Sequence, residues 1–300
     1  TKEQVWAKAE MIIKVKEPLP EEYPLIRENQ ILYTYLHLAA DVPQAKAIRD
    51  AGAKAVAYET MVDNGTLPCL IPMSQIAGSL AAHEGAKYLE KAFGGRGVLL
   101  NSIPGVEPAN VVVLGGGTAG TYAAEVAAGM GAKVTIVDKS LPRLQQLKDI
   151  FMERNISTLY STPANITRVL QDADLVIGTV LIPGAATPHL ILKEHLGIMK
   201  KGAVIVDVAI DQGGCAETSK VTYHDDPVYE VDGVVHYCVG NMPGSVPLTS
   251  TLALTNATLG YGLQIANKGL EQAAKDNSAI MTGLNYYKGN CTNAPIAEIV

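Results

Sequence analysis

The chain has 300 residues, 48% of them hydrophobic and 18% charged, with a formal net charge of −6. That apolar content and small charge exclude intrinsic disorder, and an acidic balance without any Lys/Arg run disfavours a nucleic-acid partner. No apolar stretch reaches the roughly 18 residues that span a bilayer, so no membrane segment is expected.

The opening TKEQVWAKAE is expected to be neither a signal nor a transit peptide. Apolar runs of strand length follow at MIIKV (11–15), ILYTYL (31–36) and AVAY (55–58). Residues 73–93 carry small and apolar residues at helical spacing, and GGRGVLLNSIPGVEP (94–108) has the glycines and prolines of a connecting loop. Strand-like runs at 110–115, 133–138, 173–181, 203–209 and 234–239 then alternate with helical segments at 120–131, 141–152 and 163–171. In 141–152 the spacing sets Leu141, Leu144, Leu147 and Ile150 near one face. A second long helical stretch covers 248–275. Continuous Val/Ile runs suit parallel strands covered on both faces. The alternation predicts an α/β protein: a Rossmann-type doubly wound parallel-sheet domain with a second α/β domain, which the resemblance given below implies is an incomplete substrate domain. The expected organisation is a substrate domain at 1–72, a linking helix and loop at 73–108, a nucleotide domain at 109–243, and helices returning to the first domain at 244–300. Cys69, Cys215, Cys238 and Cys291 lie far apart, which favours free thiols in the cytoplasm over a zinc site or a disulfide scaffold.

The stretch VVVLGGGTAGTYAAEVAAGMGAKVTIVD is the most informative. Gly115, Gly117 and Gly120 fit G-x-G-x-x-G between an apolar strand and a helix, and the next strand ends at Asp138. In such a unit the first glycine permits the turn, the second lets a pyrophosphate approach, and the third lets helix and strand pack closely. The helix N-terminus offers N–H groups to phosphates. A carboxylate at Asp138 suits the ribose hydroxyls of NAD and repels the 2′-phosphate of NADP, with Lys139 and Arg143 the nearby cations. A glycine-rich turn without a nucleotide is the plain structural alternative.

Three segments offer groups for substrate and proton chemistry near strand ends. Lys14 lies at the end of strand 11–15 and Lys16 just after it, His37 follows strand 31–36, and Asp211 follows strand 203–209 ahead of a glycine pair. Taken singly, Lys16 reads as a solvated lysine, His37 as a structural histidine, and Asp211 as a cap on the turn. The remaining histidines read as surface or packing residues.

At these residues the chain resembles the alanine dehydrogenase family over nearly its whole length. The matching segments are KVKEP (14–18), TYLHLA (34–39), AYET (57–60), PMS (72–74), GGRGVLL (94–100), PGVEPA (104–109), GGGTAGT (115–121), ADLVIGTVLIPG (173–184), VDVAIDQGG (206–214), NMPGSVP (241–247) and ALTNAT (253–258). The resemblance implies reversible NAD-dependent oxidative deamination of L-alanine to pyruvate and ammonium by a homohexamer. It implies substrate binding by Lys16 and catalysis by His37 and Asp211. It puts cofactor contacts at Ser74, Thr118, Asp138, Arg143, Ser161, Val180, Leu181, Val208, Ala209, Ile210, Lys220, Asn241 and Met242, alongside the glycines. Some members hold a metal between the positions of Glu59 and Lys268; lysine is a poor ligand, so no metal is expected here. Family members also begin with a βα segment whose arginine grips the substrate carboxylate. It has no counterpart in these residues, so the chain reads as a fragment or a shortened protein with feeble turnover. Two other readings stay open. One is an NAD(H)-binding subunit like that of proton-translocating transhydrogenase, which needs neither His37 nor Asp211. The other is a nucleotide-binding remnant without turnover.

Overall fold

The structure is a computed structural model that describes residues 1–38, 41–152, 154–180 and 187–298. The chain divides into two compact units, residues 1–72 with 251–300, and residues 73–250.

The first unit opens with helix α1 (Lys2–Lys8), capped by Thr1 and burying only Trp6. Strand β1 (Met11–Ile13) is shorter than the apolar run MIIKV, and Lys14 just beyond it pairs with Glu22. Strand β2 (Ile31–Thr34), helix α2 (Val42–Asp50, capped by Asp41) and strand β3 (Lys54–Ala57) follow. β1, β2 and β3 run parallel in that order. Helix α3 (Ile71–Tyr88) then carries the chain into the second unit.

The second unit contains β4 (Asn110–Leu114), α4 (Thr118–Gly129), β5 (Lys133–Asp138), α5 (Leu141–Ile150), β6 (Ile156–Tyr160), α6 (Pro163–Asp172), β7 (Leu175–Gly178), β8 (Val204–Asp207), β9 (Val228–Val231) and β10 (Val234–Tyr237). The sheet order is β6-β5-β4-β7-β8-β10-β9, parallel except for β9 against β10. Chain order reverses between β4 and β7, and such a switch point leaves a crevice at the carboxyl ends of the strands. β7, β8 and β10 are buried along their whole length, which accords with their mostly apolar sequences; the two polar side chains among them, Asp207 and His236, are buried as well. Helix α4 presents Gly120, Ala123, Ala124 and Ala127 to the core, the i, i+3, i+4, i+7 pattern of a small-residue face. In α5 only Leu144 and Leu147 are buried, while Leu141 and Ile150 stay exposed. Each three-residue step rotates the helix by about 60° short of a full turn, so four such leucine-type positions cannot share one narrow face. The segment 94–108 is tied into this unit by Arg96, whose guanidinium bonds buried Asp174 at 2.6 Å. Asp174 also pairs with Lys200 and accepts from the N–H of Asn110.

Helix α7 (Pro247–Lys268) returns the chain to the first unit. The helical stretch 248–275 is broken at Gly269, whose φ of 76° no helix accommodates, and α8 (Leu270–Asp276) starts afresh. After α9 (Ser278–Gly283), strand β11 (Leu284–Tyr287) pairs antiparallel with β3, followed by β12 (Asn290–Cys291) and α10 (Ala294–Ala297). The first unit's sheet therefore reads β1-β2-β3-β11-β12, over a core that includes Trp6, Leu32, Leu36, Ile48 and Tyr286. Among the described residues, no helix is long and apolar enough to cross a membrane.

Candidate active site

The glycine loop lies at the carboxyl end of β4, beside the switch point. Gly115 has a φ of 100°, which favours glycine. A Cβ at Gly120 would stand 1.9 Å from the Gly115 carbonyl oxygen, so α4 can approach the loop only without a side chain there. Gly117 differs: a Cβ built on it meets no atom within 4 Å. It caps α4 with no side-chain bond to the first turn. An open face beside the positive end of a helix fits a pyrophosphate. The Thr179 hydroxyl braces the loop by donating to the carbonyls of Leu114 and Gly115 at 3.0 and 2.9 Å.

Asp138 ends β5 facing this loop. Its Oδ2 accepts from the N–H of Gly116 at 2.7 Å and its Oδ1 from that of Ser140 at 2.8 Å. Each carboxylate oxygen keeps acceptor capacity for a ribose hydroxyl. Arg143 lies across the loop, donating through Nε to the Gly116 carbonyl at 2.6 Å and through Nη2 to Thr121 at 2.7 Å. It is therefore a brace of the loop as well as a nearby cation. Ser161 donates its N–H to the Asp138 carbonyl, beside the same strand end. Gly78 of α3 packs so closely on Ala119 that a Cβ there would lie 2.1 Å from its carbonyl oxygen. Ser74 stands one turn earlier on that face of α3.

After β8 the chain turns at once, which ends the apolar run 203–209 early. The cause is Asp207, fully buried, whose carboxylate accepts from the N–H groups of Ala209, Cys215 and Ala216 and from the Ser219 hydroxyl. These bonds close a loop carrying Val208, Ala209 and Ile210 into a short 3-10 turn (Ile210–Gln212) with Asp211 exposed at its centre. A Cβ on Gly240 would lie 3.3 Å from Asp211 Oδ1, so the carboxylate faces the chain just before Asn241. Asn241 adopts a left-handed φ of 56°, and Met242 beside it is buried. Val180 is half-buried after β7, and Leu181 lies outside the described residues. Lys220 is exposed; its N–H donates to the Tyr229 hydroxyl, and its ammonium meets none of these groups.

In the first unit, Lys16 and His37 leave the carboxyl edge of adjacent strands. The Lys16 carbonyl accepts from the Thr34 hydroxyl at 3.1 Å, joining the two strand ends. Of the two candidate lysines, Lys14 is paired with Glu22, whereas the Lys16 ammonium is exposed and has no ion-pair partner among the described residues. The His37 ring is exposed and stacks on buried Tyr35, with centroids 6.0 Å apart and planes 17° apart. His37 and Lys16 thus share one edge of the first unit, and Asp211 shares the second unit's edge with the nucleotide cradle. Thiol chemistry is disfavoured: burial pushes Cys69 up to about 12 and Cys238 to about 11, leaving both protonated. Glu59 bonds backbone N–H groups and Lys268 pairs with Asp276; among the described residues no cluster of three or more metal-ligating side chains occurs.

The family model "Alanine dehydrogenase/PNT, C-terminal domain" matches residues 81–294, and the corresponding N-terminal model matches 1–77. The alanine dehydrogenase of Bacillus subtilis (strain 168) is 54% identical, over 98% of this chain and 78% of its own. The chain belongs to this family. A solved L-alanine dehydrogenase superposes with a TM-score of 0.93 at 48% identity, covering 99% of this chain and 82% of that one. A transhydrogenase from Sinorhizobium meliloti has a TM-score of 0.80 at 23% identity over 98% of this chain and 82% of its own, a likeness of fold. Within this family frame, the sequence left Thr179 and Asp207 unassigned and named Glu59 only as a metal position of other members. All three bond chiefly to backbone groups, and a bond to a backbone leaves no residue pattern to read.

Proposed function

We propose that the protein catalyses the reversible NAD-dependent oxidative deamination of L-alanine to pyruvate and ammonium. The observation that carries this reading is Asp211, an exposed carboxylate without an ion-pair partner among the described residues, held on the same sheet edge as the glycine loop. A protein that only bound a nucleotide has no use for it.

The residues fit NAD: an open face at Gly117, an uncapped helix start, and a carboxylate at the end of β5. With NAD bound, its nicotinamide supplies the hydride acceptor. Lys16 binds the substrate's carboxylate or carbonyl oxygen as a charge-assisted donor. Loss of the Cα hydride leaves an iminium, and the Asp211 carboxylate stabilises that positive charge. Water adds to the iminium carbon, and the carbinolamine collapses to pyruvate and ammonium. Both steps move protons, and an imidazole can both donate and accept them, which assigns the work to His37. Three buried cysteines among the four accord with a reducing cytoplasm. Leu252, Leu259 and Leu263 lie exposed along one face of α7, a surface that assembly into a homohexamer would cover.

His37→Ala tests the assignment. It should lower kcat for alanine by about 100-fold or more, while NADH affinity, measured by nicotinamide fluorescence, stays unchanged. A variant with unaltered kcat removes His37 from the chemistry.

A further inference from the structure

Three parallel strands of the first unit end side by side. The first two lead to Lys16 and His37, and the third, β3, leads directly into a 3-10 turn (Tyr58–Thr60) bearing Glu59. Glu59 meets no cation among the described residues. Its Oε1 accepts from the N–H of His37 at 2.6 Å and from that of Leu36 at 3.1 Å, and Oε2 accepts from Leu36 at 3.2 Å. Two successive N–H groups converging on one anion form a backbone nest. The other end of the same peptide group is also held: the Leu36 carbonyl accepts from the Gln44 side-chain amide at 2.6 Å. With its N–H and C=O both pinned, the peptide plane ahead of His37 cannot rotate.

That restraint acts where the backbone needs it. His37 has a φ of 50°, in the left-handed region that a residue with a Cβ enters uncommonly. Were the peptide to relax to the β region, the Cα–Cβ bond would swing and the imidazole would leave its stack on Tyr35. We propose that Glu59 is the positioning residue of His37: its carboxylate fills the Leu36–His37 nest, holds the left-handed turn, and so aims the imidazole at the substrate. The proposal rests on the reading of His37 as the proton carrier.

The requirement is for an acceptor oxygen at the right reach, and charge is secondary. Glu59→Gln keeps an oxygen where Oε1 accepts both N–H bonds. Glu59→Asp keeps the charge and withdraws the oxygen by one methylene. A role in binding a cation or in steering charge ranks Asp above Gln; the positioning role ranks Gln above Asp. The expected kcat for alanine-dependent NADH formation falls within about three-fold of wild type in Glu59→Gln and drops at least about ten-fold in Glu59→Asp and Glu59→Ala. NADH affinity stays within about two-fold in all three. In the His37→Ala background, adding Glu59→Ala changes the residual kcat by less than about two-fold, because the residue acts through His37. The proposal is overturned if Glu59→Asp outperforms Glu59→Gln, or if Glu59→Ala costs a further ten-fold or so without His37. If Glu59→Ala fails to fold, the Gln–Asp comparison still decides. A His37→Ala variant of normal kcat would instead sink the underlying assignment, whatever Glu59 does.

Discussion

Gly117 and Gly120 give the nucleotide site opposite tests from the same substitution. At Gly117 an alanine Cβ meets nothing within 4 Å, and the φ of −68° and ψ of −164° are open to any residue. Exchanging glycine for alanine at a helix cap costs about 0.5–1 kcal/mol, and the reduced freedom of the unfolded chain returns about 0.4–1 kcal/mol. Gly117→Ala should therefore leave stability within about 0.5 kcal/mol of wild type. It fills the space a pyrophosphate needs, so NADH affinity should fall at least about ten-fold, or about 1.4 kcal/mol. At Gly120 the Cβ would stand 1.9 Å from the Gly115 carbonyl oxygen and 2.8 Å from Thr179 Oγ1. Ordinary contact requires α4 to retreat by more than about 1 Å, a displacement that typically costs about 100-fold in a positioned site. Overpacking of this kind also destabilises by about 1–3 kcal/mol. Gly120→Ala should thus lose both stability and affinity. Chemical denaturation and nicotinamide-fluorescence titration on the two variants read both quantities. Wild-type NADH affinity in Gly117→Ala would refute the reasoning, since nothing could then approach that open face.

Asp211→Asn keeps shape and removes charge; kcat should fall more than KM changes, and an effect confined to NADH affinity would reassign the residue. Asp138→Ser should narrow an NADH-over-NADPH preference of at least about 100-fold, about 2.7 kcal/mol. It should also loosen the loop, because the N–H groups of Gly116 and Ser140 lose their acceptor; equal affinities for the two cofactors in the unaltered protein would contradict the placement. His236 is fully buried, its Nδ1 against the Val234 carbonyl and its Nε2 bonded to Thr218, and burial holds it below the usual histidine range. The unfolded chain therefore takes up the proton first as pH falls. Stability from this group is complete above the unfolded value of about 6.5 and declines as pH drops below it. Denaturation midpoints across that range should show a shallower decline in His236→Asn, and an unchanged decline would remove the residue from the pH response.

β4, α4 and β5 announce themselves because a strand buried on both faces needs an unbroken apolar run, and a glycine-capped helix needs its spacing. β6 (ISTLY) and β9 (VYEV) were silent because they are the outer strands of their sheet, partly exposed and mixed in polarity. β11 could not be seen locally, since its partner β3 lies more than 200 residues earlier in the chain. In the site, Asp138 and the glycines follow from chemistry and spacing. Lys16 is told from Lys14 by the family resemblance, and in the structure Glu22 pairs with Lys14 and leaves Lys16 without an ion-pair partner among the described residues. Ser74 and Asn241 were reached through the family resemblance alone. The restraints on His37 and Asp211 come from Glu59 and Asp207 through backbone N–H groups, which every residue but proline possesses.

The most direct test of the proposed reaction follows NADH absorbance in both directions. Adding L-alanine to the protein with NAD should generate NADH, and pyruvate with ammonium should consume it, whereas pyruvate alone should not. A protein that binds NADH with normal affinity yet shows no alanine-dependent reduction and no ammonium-dependent oxidation would contradict the account.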